Sequence, residues 1–324
     1  MKVVMINDCA FVGETLLKYL PRDIERQHIK RSRGFWSKTF GLACKVLRAV
    51  GDVYHVHYLL QDCYIALRLG KRPLIGHAHG SDLREVIKSR RWGWIVRHNL
   101  RHCDKILVAQ PTILDVAKKY NSTAEYFPIP YDPELFYPKP MPNRKGEKLV
   151  FLASAHDFKV KGTDKLFYAC AKVKTPFKLR MIDYGKDTEK AKVLARKLGL
   201  NVEVIQKVPH ENMNRLYWDA DLVLGSFGVG QLDTIAIEAM ACGRPVVHHV
   251  VKKYFPTCPL QELYCEKDVA ELIDTLLTDA AEAEKLRDIQ LAYVSKNHNA
   301  IHLARQIIQI YKKFNRNLGQ MNHQ

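Results

Sequence analysis

The residues whose types and spacing best suit chemistry lie between Gly228 and Val247. Gly228-Val229-Gly230 opens a loop that runs through Gln231, Leu232 and Asp233 into a helix pattern starting at Thr234. At such a junction the backbone N–H groups are free and the helix dipole favours negative charge, so Gly230 to Ile235 read as a phosphate cradle. Glu238 lies one turn inside the helix, where its carboxylate can accept from two neighbouring hydroxyls; the plain alternative is a solvated surface glutamate. Lys161, in Lys159-Val160-Lys161-Gly162-Thr163-Asp164, is a point charge beside a second loop. It suits a phosphate, and it would equally be an ordinary surface lysine. His79, in His77-Ala78-His79-Gly80-Ser81-Asp82, follows an apolar run and falls at a strand's end. Lone histidines are more often structural, but this placement beside Gly80 and Asp82 marks it as a site candidate. His55 and His57 alternate along residues 52–57 and read as mainly structural.

Strands must end at these loops to position them. Residues 2–6, 52–57, 73–79 and 103–108 are short apolar runs, separated by helix patterns at 12–20, 59–69 and 112–120. Such alternation predicts a parallel sheet with helices on both faces. Residues 126–142 carry Pro128, Pro130, Pro133, Pro138, Pro140 and Pro142, which no helix or central strand tolerates. They read as an interdomain linker ending near Lys145. The alternation then restarts, with strands at 148–152, 178–182, 202–205, 221–224 and 246–247 and helices at 163–173, 187–199, 211–220 and 234–242. The tail from 270 to 314 reads as helical, with Ile301, Ile308, Tyr311 and Phe314 near one face. The expected fold is α/β: two Rossmann-like, doubly wound parallel-sheet domains facing an interdomain cleft. The domains are 1–145, ending in the Pro-rich linker, and 146–300, followed by a terminal helix at 301–324. Ligands in such sheets bind at the carboxyl ends of the strands.

The 324 residues are 47% hydrophobic and 26% charged, which fits two folded domains and excludes a mainly disordered chain. No apolar run reaches the ~18 residues of a membrane span. The first residues meet Asp8 too early for a signal peptide, so a cytoplasmic location is expected. Eight cysteines without CxxC spacing predict reduced, mostly buried thiols and no metal site. A formal charge of +17 attracts polyanions: nucleic acid, anionic lipid or nucleotide phosphates.

Glu238-Ala239-Met240-Ala241-Cys242-Gly243-Arg244-Pro245-Val246-Val247 resembles the EAMACGxPVV signature of the family 4 glycosyltransferases, which have the GT-B fold. By that resemblance Glu238 binds the ribose hydroxyls of a nucleotide-sugar donor. The family's companion glutamate, near the donor sugar, falls at Gly230 here, leaving Gln231, Asp233, Thr234 or backbone amides to replace it. Lys159 to Asp164 resembles the KGxD motif, whose lysine, here Lys161, neutralises the donor diphosphate. The arginine that often precedes it is replaced by Ala155 and His156, the latter a partial substitute. His79 to Asp82 resembles HGxD, which implies contact of His79 with the donor sugar or acceptor near the reacting carbon. Residues 52–57 are similar to the family's DxxHxH strand, and Gly13 matches the glycine that lets the chain approach the diphosphate. Residues 128–138 resemble the PNxxDxxxFxP linker. The C-terminal helix is implied to cross back to the first domain.

Three of the four tryptophans lie in two basic stretches of the first domain, Trp36 in 26–38 and Trp92 and Trp94 in 84–101. The second stretch also carries Arg90 and Arg91. Interleaved Trp and Arg suit a membrane interface or an acceptor side. They suit nucleic acid less, because no nucleic-acid module accompanies them.

Together these features imply a retaining, metal-independent glycosyltransferase with no cofactor. A nucleoside-diphosphate sugar is the donor and a glycan or lipid-linked molecule the acceptor. An anionic membrane surface, on the inner face, is a further partner, and nucleic acid is not one. Domain closure would exclude water. The alternatives are a GT-B sugar-nucleotide epimerase or phosphorylase, or a non-catalytic GT-B domain that binds membrane or a partner.

Overall fold

The computed structural model describes residues 1–31 and 40–321, with side chains through 314. Trp36 lies outside the described residues. The chain forms two compact units: one runs to Pro130 and resumes at Asn299, and the other is Tyr131–His298.

The first unit holds β1 (Lys2–Ile6), β2 (Glu25–Ile29), β3 (Val53–His57), β4 (Leu74–Ala78), β5 (Lys105–Val108) and β6 (Glu125–Tyr126). Their order is β2-β1-β3-β4-β5-β6, all parallel. β3, β4 and β5 are buried along their whole length, as strands covered by helices on both faces must be. β2 is absent from the sequence expectation, because Glu-Arg-Gln-His-Ile shows neither an apolar run nor clean alternation. It survives at the edge, where Arg26 donates to the carbonyl of Leu17. The helix Ala300–Met321 packs into this unit through Leu303, Ala304, Ile307, Ile308 and Tyr311, all buried. Ile301, expected on the same face, is 38% exposed, because two residues before Leu303 a helix has turned most of the way to its far side.

The second unit holds β7 (Lys148–Leu152), β8 (Phe177–Ile182), β9 (Val202–Ile205), β10 (Leu222–Leu224) and β11 (Val246–Val247). Their order is β11-β10-β7-β8-β9, again all parallel. The order in which strands are added reverses between β7 and β10, and in the first unit between β1 and β3. Doubly wound sheets open their ligand crevice at such a point.

Two expectations about boundaries change. Residues 131–145 belong to the second unit rather than forming a linker that ends at Lys145. Phe136 is buried against Tyr217, and Asn214 donates to the carbonyl of Leu135 at 2.9 Å. The Trp218 indole donates to the carbonyl of Tyr137 at 2.9 Å, and Arg244 donates to those of Lys139 and Pro140. Proline keeps this segment irregular, but its carbonyls are claimed by side chains of the second unit. The C-terminal tract is three helices, Glu266–Thr278, Ala280–Asn297 and Ala300–Met321. Asp279 starts the second by accepting from the N–H groups of Ala281 and Glu282.

The edge strand β11 is closed by a side chain instead of a neighbouring strand. Gln290, fully buried on the helix Ala280–Asn297, accepts from the N–H of Val246 and donates to its carbonyl, both at 2.8 Å. Gln290→Leu strands both backbone groups, at about 1–3 kcal/mol each. The expected outcome is a drop of about 2–4 kcal/mol in unfolding free energy, read from urea midpoints. A midpoint unchanged from wild type would show that another group closes the edge.

Candidate active site

The crevice of the second unit is built from the loop after β7 and the loop after β10. They meet backbone against backbone: the N–H of Phe227 donates to the carbonyl of Lys161 at 2.7 Å, and that of Val229 to Val160 at 3.2 Å. A side chain at Gly228 would put its Cβ 2.0 Å from the Val160 carbonyl oxygen, so this meeting requires glycine. The contact delivers Lys161 to the start of the helix Thr234–Ala241. Lys161 Nζ lies 2.6 Å from Asp233 Oδ2. Burial alone would raise the Asp233 carboxyl, but Lys161, His248 and a hydrogen bond from Ser226 together hold it below the ordinary range. Asp233 precedes the helix without capping it, so the first-turn N–H groups have no side-chain cap. A cavity of about 790 Å³ opens beside Lys161, lined also by Asp157, Asp183, Tyr184 and Lys186. Another of about 600 Å³ lies by Gly228, Lys165, His249 and Tyr264.

Glu238 is not a solvated surface glutamate: it is 3% exposed. Its Oε1 is 2.7 Å from His210 Nε2, and its Oε2 accepts from the Tyr217 hydroxyl at 3.1 Å. Burial and the adjacent Glu238 push the Tyr217 phenol well up, so it stays protonated as the donor. The glycine loop itself hangs on His248, which accepts from the N–H of Ser226 at 2.9 Å and donates to the carbonyl of Gln231 at 2.7 Å. Leu232 and Gln231, both expected at the donor, are buried. Thr234 and Ile235 are half-buried at the helix start. Gly230 has φ +65°, and a Cβ there would lie 2.5 Å from Val251 Cγ2. His156 lines the cavity beside Lys161 but is buried, with Nε2 2.9 Å from the carbonyl of Ile182, and burial lowers its pKa, so it brings no arginine-like charge there.

In the first unit β3 and β4 place four imidazoles side by side. His55 and His57 stack at 4.8 Å between ring centres, His77 and His79 at 4.5 Å. His55 Nδ1 is 2.7 Å from the Tyr311 hydroxyl, and its Nε2 is 3.2 Å from His77 Nδ1. His57 Nδ1 is 2.8 Å from His79 Nε2. Burial pushes His55 and His79 down to about 3 and His57 and His77 well below the usual value, so all four are neutral. His79 ends the array at the carboxyl end of β4, half-buried. Asp82 holds its loop by accepting from the N–H groups of Gly80 at 3.0 Å and Leu83 at 3.1 Å. Gly13 sits against this array, 2.8 Å from His57 Nε2 to the position of a Cβ. Its N–H donates to Asp8 at 2.8 Å, so Asp8 already holds the amide expected to approach a diphosphate.

Arg90, Arg91, Trp92 and Trp94 are all exposed. Arg91 lies over the Trp92 ring at 5.0 Å, and Trp94 meets Tyr64 edge-on at 5.5 Å. Trp92 also lines a cavity of about 230 Å³ with Leu60, Val86, Ile95 and Arg31. Among the described residues no helix is long and apolar enough to cross a membrane. Sequence reasoning passed over His210, Tyr217 and His248. His248 lies in an apolar run that marks core and site alike, and His210 in a polar turn that carries no signal.

Residues 139–290 match the family model of glycosyl transferases group 1. No curated protein sequence matches the chain. Solved structures align over almost its full length. Sucrose-phosphate synthase from Thermosynechococcus elongatus is 17% identical with a TM-score of 0.73, covering 97% of this chain and 99% of that one. Anabaena Alr3699/HepE, in complex with UDP and glucose, is 15% identical with a TM-score of 0.72, covering 97% and 100%. The lipopolysaccharide outer core galactosyltransferase WaaB, in its apo form, is 12% identical with a TM-score of 0.65, covering 97% and 100%. The fold is therefore that of the GT-B glycosyltransferases, and its second unit carries the group 1 match.

The buried neutral histidines should cost the protein stability in acid. Their folded pKa values lie below the unfolded value, so the unfolded chain binds more protons as pH falls. Stability is complete above the unfolded value of about 6.5 and decreases below it, by about 1.4 kcal/mol per pH unit for each histidine. Urea midpoints should therefore fall steeply between about pH 7 and pH 5, before carboxylates titrate. A flat profile over that range would mean the four rings take up protons in the folded state.

Proposed function

We propose that the protein is a glycosyltransferase that moves a sugar from a nucleoside-diphosphate sugar to an acceptor, with retention and without a metal or cofactor. The observation that carries this reading is the convergence at the β7/β10 switch point. There Lys161, an uncapped helix start and, one turn on, the buried Glu238 come together inside the segment that matches the group 1 model. An ammonium has three protons, so the bond to Asp233 leaves two for phosphate oxygens. Negative charge develops on the leaving diphosphate, and Lys161 with the amides from Gly230 to Ile235 would stabilise it there. Each Glu238 oxygen keeps a lone pair beyond its bond to His210 or Tyr217, enough to accept from two ribose hydroxyls. His79 is assigned to the donor sugar or the acceptor. UDP is the first nucleotide to test, since the HepE complexes hold UDP, UDP-glucose, or UDP and glucose.

The acceptor in this proposal is a glycan or a lipid-linked molecule approaching the first unit. Its support is the exposed Arg90, Arg91, Trp92 and Trp94, with Trp92 at a cavity shared by Leu60, Val86, Ile95, Gln61 and Arg31, which suits an anionic membrane surface on the cytoplasmic face. A second reading, a GT-B domain that binds nucleotide without transferring sugar, draws on the Lys161–Asp233 pair and on Gly230 at the position of the family glutamate.

Thermal shift against UDP, GDP, ADP and their sugars tests the donor site. One nucleotide family should stabilise the protein, and no response to any of them would overturn the donor reading. Glu238→Gln keeps the Tyr217 bond but loses the charge, so nucleotide affinity should fall about ten- to a hundredfold. Wild-type affinity in that variant removes Glu238 from the site. Stabilisation without sugar release or transfer would favour the second reading.

Vesicle sedimentation tests the membrane surface. Trp92→Ala combined with Arg90→Ala should weaken binding to phosphatidylglycerol vesicles and leave weak binding to neutral ones unchanged. Equal binding by variant and wild type would remove this surface from the proposal.

A further inference from the structure

The histidine array has a direction, and a sulfur sets it. Met5 Sδ, on β1, lies 3.1 Å from His57 Nε2. A thioether sulfur carries lone pairs and no proton, so it only accepts. A bare ring nitrogen at that distance would set lone pair against lone pair. His57 Nε2 therefore carries the proton. His57 is fully buried and neutral, so its other nitrogen, Nδ1, is bare. That bare nitrogen is 2.8 Å from His79 Nε2, and a contact of this length needs one proton between the two. The proton must come from His79. A neutral His79 with its proton on Nε2 has a lone pair on Nδ1, and among the described residues nothing is bonded to that atom.

We infer that Met5 and His57 are positioning residues that hold His79 as its Nε2–H tautomer, so that it presents a bare Nδ1 as a hydrogen-bond acceptor at the carboxyl end of β4. A group that only accepts pairs with a donor. It takes the O–H of a sugar or acceptor hydroxyl and rejects a phosphate or carboxylate oxygen, whose lone pairs it would face. The identification of the partner as a sugar hydroxyl rests on the proposed glycosyl transfer; the tautomer does not.

The same residues offer a competing reading. One ring nitrogen each of His55, His57 and His77 lies within 4.8 Å of the others, a grouping that can hold a metal ion. Nitrogens about 2.0–2.1 Å from a tetrahedral zinc sit only about 3.4 Å apart. Here the rings spend their nitrogens on one another, on Tyr311 and on Met5 instead, His77 Nε2 alone being buried without a partner. The hydrogen-bonded array fits the distances better than a metal centre does.

Two-bond proton–nitrogen correlation spectra of the full-length protein, labelled with 15N-histidine, read the tautomer of each ring directly. His57→Asn and His79→Asn variants assign the signals. In wild type, both His57 and His79 should show a protonated Nε2 and a far-downfield, bare Nδ1. Met5→Leu conserves the volume and removes the acceptor. In it the His57 and His79 signals should move toward the averaged shifts of mixed tautomers. A protonated Nδ1 at His79 in wild type overturns the inference, and so do unchanged tautomers in a folded Met5→Leu. One equivalent of metal in the purified protein by elemental analysis, with ring shifts that change on chelation, overturns it in favour of the metal centre. The wild-type spectrum decides even if Met5→Leu does not fold. None of these readouts uses a donor or acceptor, so failure of the glycosyl-transfer reading and failure of the tautomer assignment give different results.

Discussion

The second unit depends on two loops touching through their backbones. Gly228 lies so close to the carbonyl of Val160 that no side chain fits between them, and the N–H of Phe227 is bonded to Lys161 itself. This contact makes the loops after β7 and β10 one body at the switch point of the sheet. Lys161 is thereby held beside the start of the helix Thr234–Ala241, within reach of Asp233. The same loop is suspended from His248, whose two nitrogens bond Ser226 and Gln231 in opposite senses. The site is thus backbone first, with charge added to it.

Neutral imidazoles do comparable work in both units. A neutral ring is donor at one nitrogen and acceptor at the other, so a buried histidine links two groups and imposes a direction. Burial keeps the ring neutral, since desolvation disfavours the imidazolium. His248 directs a loop in this way, and His57 directs His79. In both cases the partner fixes the proton: a carbonyl oxygen for His248 and a sulfur for His57. A lysine or a carboxylate in either place would bring an unpaired charge into the core.

Much of this architecture was legible in the sequence because buried parallel strands leave apolar runs of fixed length. β1, β3, β4, β5, β7, β8, β10 and β11 are recognisable for that reason, β9 by its β-branched residues although it is a half-exposed edge, and the loop into Thr234 by its glycines. β2 and the two-residue β6 are not, since short or polar edge strands have no such run. Residues 131–145 were misassigned because proline reports local backbone and not which unit owns it. Arg244, Trp218 and Asn214, distant in sequence, decide that ownership. Motif points to Lys161, Glu238 and His79, but not to how they pair. Asp233 meets Lys161, His210 and Tyr217 meet Glu238, and His57 meets His79 only through the fold, and no spacing along the chain encodes those meetings.

Gly230 bears on the proposed sugar transfer. The resemblance puts a glutamate at this position, and the backbone there does not accommodate one. Its φ of +65° strains any side chain, and Val251 occupies the space a Cβ would need. The N–H of Val251 is bonded to the Gly230 carbonyl at 3.1 Å, and His249 stands nearby. The loop is braced around a glycine that is itself buried. Asp233, three residues on, brings a carboxylate to the same helix start and pairs it with Lys161. The carboxylate at this helix start therefore comes from Asp233, while position 230 contributes backbone alone.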